Sequence, residues 1–240
     1  MAEKVDILAI GAHPDDIELS AGGTIAKHVS EGKKVAIVDL TEGELGSRGT
    51  VRTRYDESSR AAEILGVSFR ENTRLPDGFF SEDKESLVRL IRQIRHFQPE
   101  IVLANAPADR HPDHGRAASF ISRACFLSGL LKIETVRDDK IQEKWRPKAV
   151  YHFIQDRYLS PDFLVDVTAY KDQKMEAIKA YESQFYKPGM KGPVTPISGI
   201  EFMDYLESRM IHFGRLINVK YAEGFIVERT PGVNSLFDLL

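Results

Sequence analysis

The stretch Val5-Asp6-Ile7-Leu8-Ala9-Ile10-Gly11-Ala12-His13-Pro14-Asp15-Asp16 decides how the rest of the chain is read. A short apolar run that stops abruptly in a polar turn is a buried strand ending in a loop. A helical pattern over Gly22 to Glu31 follows, then a β-branched run from Lys34 to Leu40, so residues 5–40 read as a strand-helix-strand unit.

Outward from that unit the alternation continues. Arg54 to Leu65 has the pattern of an amphipathic helix stopped by Gly66, and Glu82 to Phe97 that of a second stopped before Pro99. Ile101 to Ala104 reads as a buried strand, and a helix runs from His114 to about Leu127. A less regular stretch to Arg146 precedes strand-like runs at Ala149 to Ile154 and Phe163 to Val167. Helices over Lys171 to Phe185 and Glu201 to Ile217 and a strand over Glu223 to Val227 complete the pattern. Near-continuous apolar strands separated by helices predict an α/β fold, a Rossmann-like, mostly parallel sheet with helices on both faces in a single domain, 1–240. Its core spans about residues 5–185; the loop, helix and strand of 186–240 are expected to serve as a substrate lid or in oligomer contacts. Ligands would gather at the carboxyl ends of the strands.

With 240 residues, a formal charge of -3 and 42% hydrophobic residues, the composition is that of a globular protein with a proper core. The charge balance supplies no broad cationic surface, so no nucleic-acid partner is expected. A single cysteine, Cys125, excludes an intrachain disulfide framework and a thiolate zinc cluster, and reads as core packing. With no signal-like segment and no apolar run near the ~18 residues of a membrane span, a cytoplasmic protein with no membrane partner is expected.

One short pattern occurs twice, His13-Pro14-Asp15-Asp16 after the first strand and His111-Pro112-Asp113-His114 after the Ile101 to Ala104 strand. Residues three apart share a face where a helical turn begins, and proline suits that start. His13 can therefore converge with Asp16, and His111 with His114. Imidazoles and carboxylates without thiols are the ligand set of a catalytic zinc site that keeps a position for water. The same set suits ferrous iron, and spacing does not choose between His111 and His114 as ligand.

These residues, together with Thr41-Glu42-Gly43-Glu44, Arg54, Glu57, Ala61 and Leu65-Gly66, resemble the motifs of the zinc-dependent N-deacetylases of the LmbE-like (PIG-L) family. The resemblance spans most of residues 5–125. Asp109-Arg110-His111, Ala180-Tyr181-Glu182-Ser183-Gln184-Phe185 and Tyr221-Ala222-Glu223-Gly224-Phe225 look most like the bacillithiol biosynthesis deacetylases within it. The resemblance implies that His13, Asp16 and His114 bind Zn2+, with Fe2+ as the cellular alternative. It implies that Asp15 is the general base and that His111 stabilises the transition state or acts as acid. Asp113 is a further catalytic candidate, to orient His111. The implied substrate is a small amino-sugar conjugate, N-acetylglucosaminyl malate, in a homo-oligomeric enzyme.

Arg48, Arg52 and Arg54 should lie near the metal edge; Arg54, at the family's substrate-binding arginine position, and Arg110 are the candidates for holding substrate carboxylates. Other readings are deacetylation of a different N-acetylglucosaminide, amidase action on a thiol conjugate, a non-catalytic sugar-binding protein and an iron oxygenase. His28, His96, His152 and His212 carry no partner pattern. Gly22-Gly23-Thr24 is no dinucleotide loop, because the first strand leads into acids where a pyrophosphate needs backbone donors.

Overall fold

The computed structural model describes residues 2–186, 188–189 and 192–239. Its strands and helices follow in the order β1 (Ile7–Gly11), α1 (Asp16–Ser30), β2 (Val35–Asp39), α2 (Val51–Leu65), β3 (Phe69–Asn72), α3 (Lys84–Phe97), β4 (Ile101–Ala104) and α4 (Pro112–Ser128). A small hairpin of β5 (Val136–Arg137) and β6 (Lys140–Ile141) leads to β7 (Ala149–Phe153), β8 (Phe163–Asp166), α5 (Lys171–Lys179), α6 (Ile200–Leu216) and β9 (Ala222–Val227).

Seven strands form one sheet in the order β3-β2-β1-β4-β7-β9-β8. β3, β2, β1, β4 and β7 are parallel; β9 runs antiparallel to both β7 and β8. The fully apolar character of the first two strands follows from this placement, since each is buried on both faces. Alternate residues serve opposite layers: Ile7 and Ala9 pack in one core with α1, α2 and α5, while Leu8 and Ile10 pack in a second with α3 and α4. Chain order reverses between β1 and β4, and the crevice at their carboxyl ends is the topological switch point where such folds bind ligands.

The structure departs from the sequence reading in several places. The first helix begins at Asp16, six residues before the expected Gly22, and the strand near Glu223, expected outside a core of residues 5–185, is an inner strand of the sheet. The helix expected to reach Phe185 ends at Lys179, because the chain beyond it is held by tertiary bonds. Glu57 accepts from the Ser183 backbone N–H at 2.6 Å and from its hydroxyl at 2.8 Å, and the Tyr181 hydroxyl donates to Glu18 at 3.0 Å. β3 escapes the pattern because it is a half-buried edge strand, Phe-Arg-Glu-Asn, of the charged kind that discourages edge pairing. The β5-β6 hairpin, two residues per strand, lies in the stretch read as irregular. Arg48, expected near a substrate anion, instead donates to the carbonyls of Ser183 at 2.8 Å and Pro193 at 2.6 Å, tying the loop after β2 to the segment before α6.

Within the proline- and glycine-rich loop of 186–196, Lys187, Met190 and Lys191 lie outside the described residues. Among the described residues no helix is long and apolar enough to cross a membrane.

Candidate active site

The two His-Pro-Asp turns meet at the switch point. β1 ends at Gly11, and the chain reaches α1 through a turn in which Asp15 takes φ 114° and ψ -26°. That conformation is costly for a residue with a Cβ and recurs at functional sites. It leaves the Asp15 side chain without an N-cap bond and turns it to Arg54, whose Nη2 lies 3.2 Å from Oδ2 and also donates to the Pro14 carbonyl. Gly43, at φ +65°, permits this: a Cβ there would lie 3.1 Å from the Arg54 guanidinium carbon.

Asp16, the first residue of α1, is held from four directions. Its Oδ2 accepts the His13 N–H and the Asn105 side-chain amide, each at 3.0 Å. Its Oδ1 accepts the Gln155 amide at 2.5 Å and lies 3.1 Å from His114 Nε2. His13 Nδ1 stands 3.6 Å from Asp16 Oδ2. The outer nitrogens of both histidines face carboxylates: His13 Nε2 lies 3.0 Å from Asp77 and 3.4 Å from Asp113, and His114 Nδ1 bonds to Asp109. His111 differs. As the N-cap of α4 its Nδ1 accepts the Asp113 backbone N–H at 3.3 Å, and its ring stacks 5.0 Å from that of His114.

The expectation that the Asp113 carboxylate orients His111 is corrected here. Its Oδ2 accepts the Gly78 N–H at 2.9 Å and faces His13, and its Oδ1 takes Arg116 at 3.1 Å. Successive helical residues point about 100° apart, so a carboxylate in the first turn of α4 leaves the side of the cap.

The electrostatics express this crowding of acids. Burial pulls His13 down, but Asp113, Asp16 and Asp77 outweigh it and hold the ring well above its usual range. Burial likewise opposes protonation of His114, yet Asp16 and Asp109 raise it to about 9. Burial pushes the Asp15 carboxyl up to about 7 against the pull of Arg54. His111 is lowered by burial and by the neighbouring His13 and His114. Two buried histidines drawn toward the cationic form amid Asp16, Asp77, Asp109 and Asp113 mark a place that favours positive charge. Ligand atoms of His13, His111 and His114 lie within 4.8 Å of one another. Histidines with a carboxylate on the far nitrogen are the supporting arrangement of metal ligands. The residues therefore fit a divalent metal.

A cavity of about 270 Å³ opens over these groups, with Leu19, Ile197, Phe202 and Leu206 as an apolar wall and Arg54, Arg110 and Arg209 as cations. Arg110 pairs with Asp156 near the surface. Thus the structure brings His13, Asp15, Asp16, His111, His114 and Arg54 to one cavity, with Arg110 at its edge and Asp113 behind His13. Sequence reasoning assigned no role to Asp77, Asn105, Asp109, Gln155 or Arg209. Asn105 and Gln155 lie just beyond β4 and β7, where the strand-end rule could have found them. Arg209, on a helix distant in sequence, gave no such signal.

Comparison with known proteins agrees with this layout. Residues 8–125 match the PIG-L family, described as GlcNAc-PI de-N-acetylase. Diacetylchitobiose deacetylase of Thermococcus kodakarensis is 29% identical, over 95% of this chain and 84% of its own. The crystal structure of the conserved protein TT1542 from Thermus thermophilus superposes with a TM-score of 0.85 at 34% identity, over 97% of this chain and 98% of that one. GalB, the 4-carboxy-2-hydroxymuconate hydratase of Pseudomonas putida KT2440, follows at 0.74 and 26%, over 98% of this chain and 100% of that one. With its fold matched end to end and its first half matched by the family's own sequence pattern, the chain belongs to the PIG-L (LmbE-like) deacetylase family.

Proposed function

We propose that this protein is a metal-dependent N-deacetylase that hydrolyses the acetamide of an N-acetylglucosaminyl conjugate, with N-acetylglucosaminyl malate as its substrate. The observation that carries the reading is the convergence of His13 and His114 on Asp16, with Asp15 beside them turned away from its own helix. His13, Asp16 and His114 would hold the ion, zinc or ferrous iron. When bound, such an ion supplies a Lewis acid that polarises an acyl oxygen and acidifies water.

Asp15 is held by Arg54 at the cavity wall, and there it takes a proton from the attacking water and passes it to the departing amine. His111 accepts a backbone N–H at Nδ1, so the neutral ring carries its proton on Nε2. From that nitrogen it donates to the oxyanion that forms on the acetyl carbon; removing such a donor costs on the order of 10²-fold or more in rate. Arg54 and Arg110 border the sugar conjugate. A sugar-binding protein without chemistry would have no use for Asp15 in so costly a backbone conformation. Assembly into a homo-oligomer belongs to the same proposal, and a monomer by light scattering would remove it; within residues 186–240, β9 is an inner strand of the sheet and is part of the core.

The test is release of free amine by the protein stripped of metal and reloaded with zinc or ferrous iron, with Asp15→Asn as control. N-acetylglucosaminyl malate, N-acetylglucosamine and diacetylchitobiose are compared. Metal-dependent turnover of the malate conjugate, reduced about 10²-fold or more in Asp15→Asn, is expected. Turnover of the uncharged sugars alone would keep the hydrolase and overturn the malate assignment. The likeness to GalB favours one other reading, so hydration of 4-carboxy-2-hydroxymuconate is assayed in parallel. Hydration without amine release would replace the deacetylase.

A further inference from the structure

Three arginines line the cavity, and two are already engaged by carboxylates: Arg54 by Asp15 at 3.2 Å and Arg110 by Asp156. Arg209 is not. It projects from α6, half-buried, and donates one N–H to the Leu19 carbonyl of α1 at 2.8 Å. Its guanidinium carbon lies 5.6 Å from the ring centre of Tyr205, one turn earlier, and it also bonds with that residue's hydroxyl. Tyr205 is itself fixed by a hydrogen bond to the Asp156 carbonyl. Among the described residues no carboxylate forms an ion pair with Arg209. The acids that act on it from a distance are Glu223, Asp156 and Asp109. Each is committed elsewhere, to Lys174, Arg110 and His114 respectively.

A guanidinium carries five N–H donors in a rigid fork, and leaving a half-buried one unpaired is costly. The Arg209 side chain is held in place by Leu19 and Tyr205 and lines the cavity with, among the described residues, no counter-ion of its own. The neighbouring side chains of Leu19, Ile197, Phe202 and Leu206 are apolar and carry no charge to complete the pairing. The missing partner is an anion that arrives with the substrate.

We propose that Arg209 determines substrate specificity by receiving an oxyanion on the aglycone, a carboxylate, while Arg54 and Arg110 hold Asp15 and Asp156. This rests on the deacetylase reading and assigns to Arg209 the discrimination between the malate conjugate and uncharged N-acetylglucosaminides.

Two measurements test it on the metal-loaded protein, with Arg209→Gln and Arg209→Lys as variants. The first is the ratio of kcat/KM for N-acetylglucosaminyl malate to that for methyl N-acetylglucosaminide. A charge-assisted hydrogen bond pair corresponds to about 10- to 100-fold, so the ratio should fall by that factor in Arg209→Gln, through KM, and by less in Arg209→Lys. A variant that merely folds poorly lowers both rates together and leaves the ratio unchanged, which would overturn the proposal.

The second measurement is calorimetric binding of free L-malate, with inorganic phosphate alongside. Malate binding should weaken about 10-fold or more in Arg209→Gln. Equal malate binding by wild type and variant would overturn the role of Arg209, and loss of phosphate binding alone would overturn the carboxylate in favour of a phosphoryl group. If wild type hydrolyses neither sugar, the deacetylase reading falls, and malate binding still decides Arg209.

Discussion

Replacing Glu223 by Leu strands a lysine in the core. Glu223 and Lys174 are 2% and 1% exposed, and their charged atoms lie 2.6 Å apart. Glu223 also accepts the Gly23 N–H at 2.9 Å and the Thr24 N–H at 2.7 Å, so it joins β9 and α5 to the middle of the helix that presents Asp16. At an effective dielectric of 20 the attraction at this distance is about 6 kcal/mol, most of which offsets the desolvation of two ions. Burial already lowers the Lys174 pKa against the pull of Glu223. Without its partner the lysine escapes by losing its proton, which limits the penalty. From a reference pKa of about 10.4, neutralisation at pH 7.5 costs about 4 kcal/mol at 1.36 kcal/mol per unit.

The sign of the pH dependence follows. Lys174 in the folded variant would be neutral while the unfolded chain stays protonated, so the unfolded state binds more protons and folding stability rises with pH. The lysine's share of the Glu223→Leu deficit should shrink from about 4 kcal/mol at pH 7.5 to about 1 at pH 9.5, on top of a part that does not change with pH, from the lost Gly23 and Thr24 hydrogen bonds. Lys174→Met added to Glu223→Leu should recover the lysine's share, since replacing both ions by apolar groups is often neutral, and leave the loss that comes from the Gly23 and Thr24 N–H groups, which no longer have their carboxylate acceptor. Urea unfolding followed by circular dichroism at pH 7.5, 8.5 and 9.5 measures all three proteins. A deficit under about 1 kcal/mol at pH 7.5, one that does not change with pH, or no recovery in the double variant would show that Glu223 does not hold a buried, charged Lys174.

Gly23→Ala should destabilise the protein by about 1–3 kcal/mol although alanine is the better helix former by about 1 kcal/mol. A Cβ there would sit 2.8 Å from Val167 Cβ and 3.2 Å from Glu223 Oε1; a raised Tm would contradict this account of the glycine. Gln155→Leu removes a donor from Asp16 and should weaken zinc binding about 10- to 100-fold by chelator competition, with little change in folding. Unchanged affinity would mean that Gln155 does not orient the carboxylate. Cys125 is 4% exposed, with burial pushing its thiol far up. It should resist a disulfide reagent at pH 8 until urea is added; rapid native labelling would show that α4 opens.

The features legible from the residues alone were local. The alternation of apolar runs, the Gly66 stop and the two His-Pro-Asp turns each depend on neighbours a few residues away, so the α/β class and the first candidates for the site could be read without coordinates. The positive φ of Asp15 was not legible.

The rest of the site depends on residues far apart in the chain. Asn105 and Gln155 reach Asp16 across separations of 89 and 139 residues, and no periodicity encodes such a meeting. The distinction between His111 and His114 is of the same kind. Both stand in one motif, but Asp109 takes the outer nitrogen of His114 while the backbone of α4 takes that of His111. Long-range bonds also ended α5 at Lys179, drew Arg48 away to the Ser183 and Pro193 carbonyls and, among the described residues, left Arg209 without a carboxylate. An arginine looks the same in sequence whether it is paired or not. Its role is set by which acids the fold has already committed elsewhere.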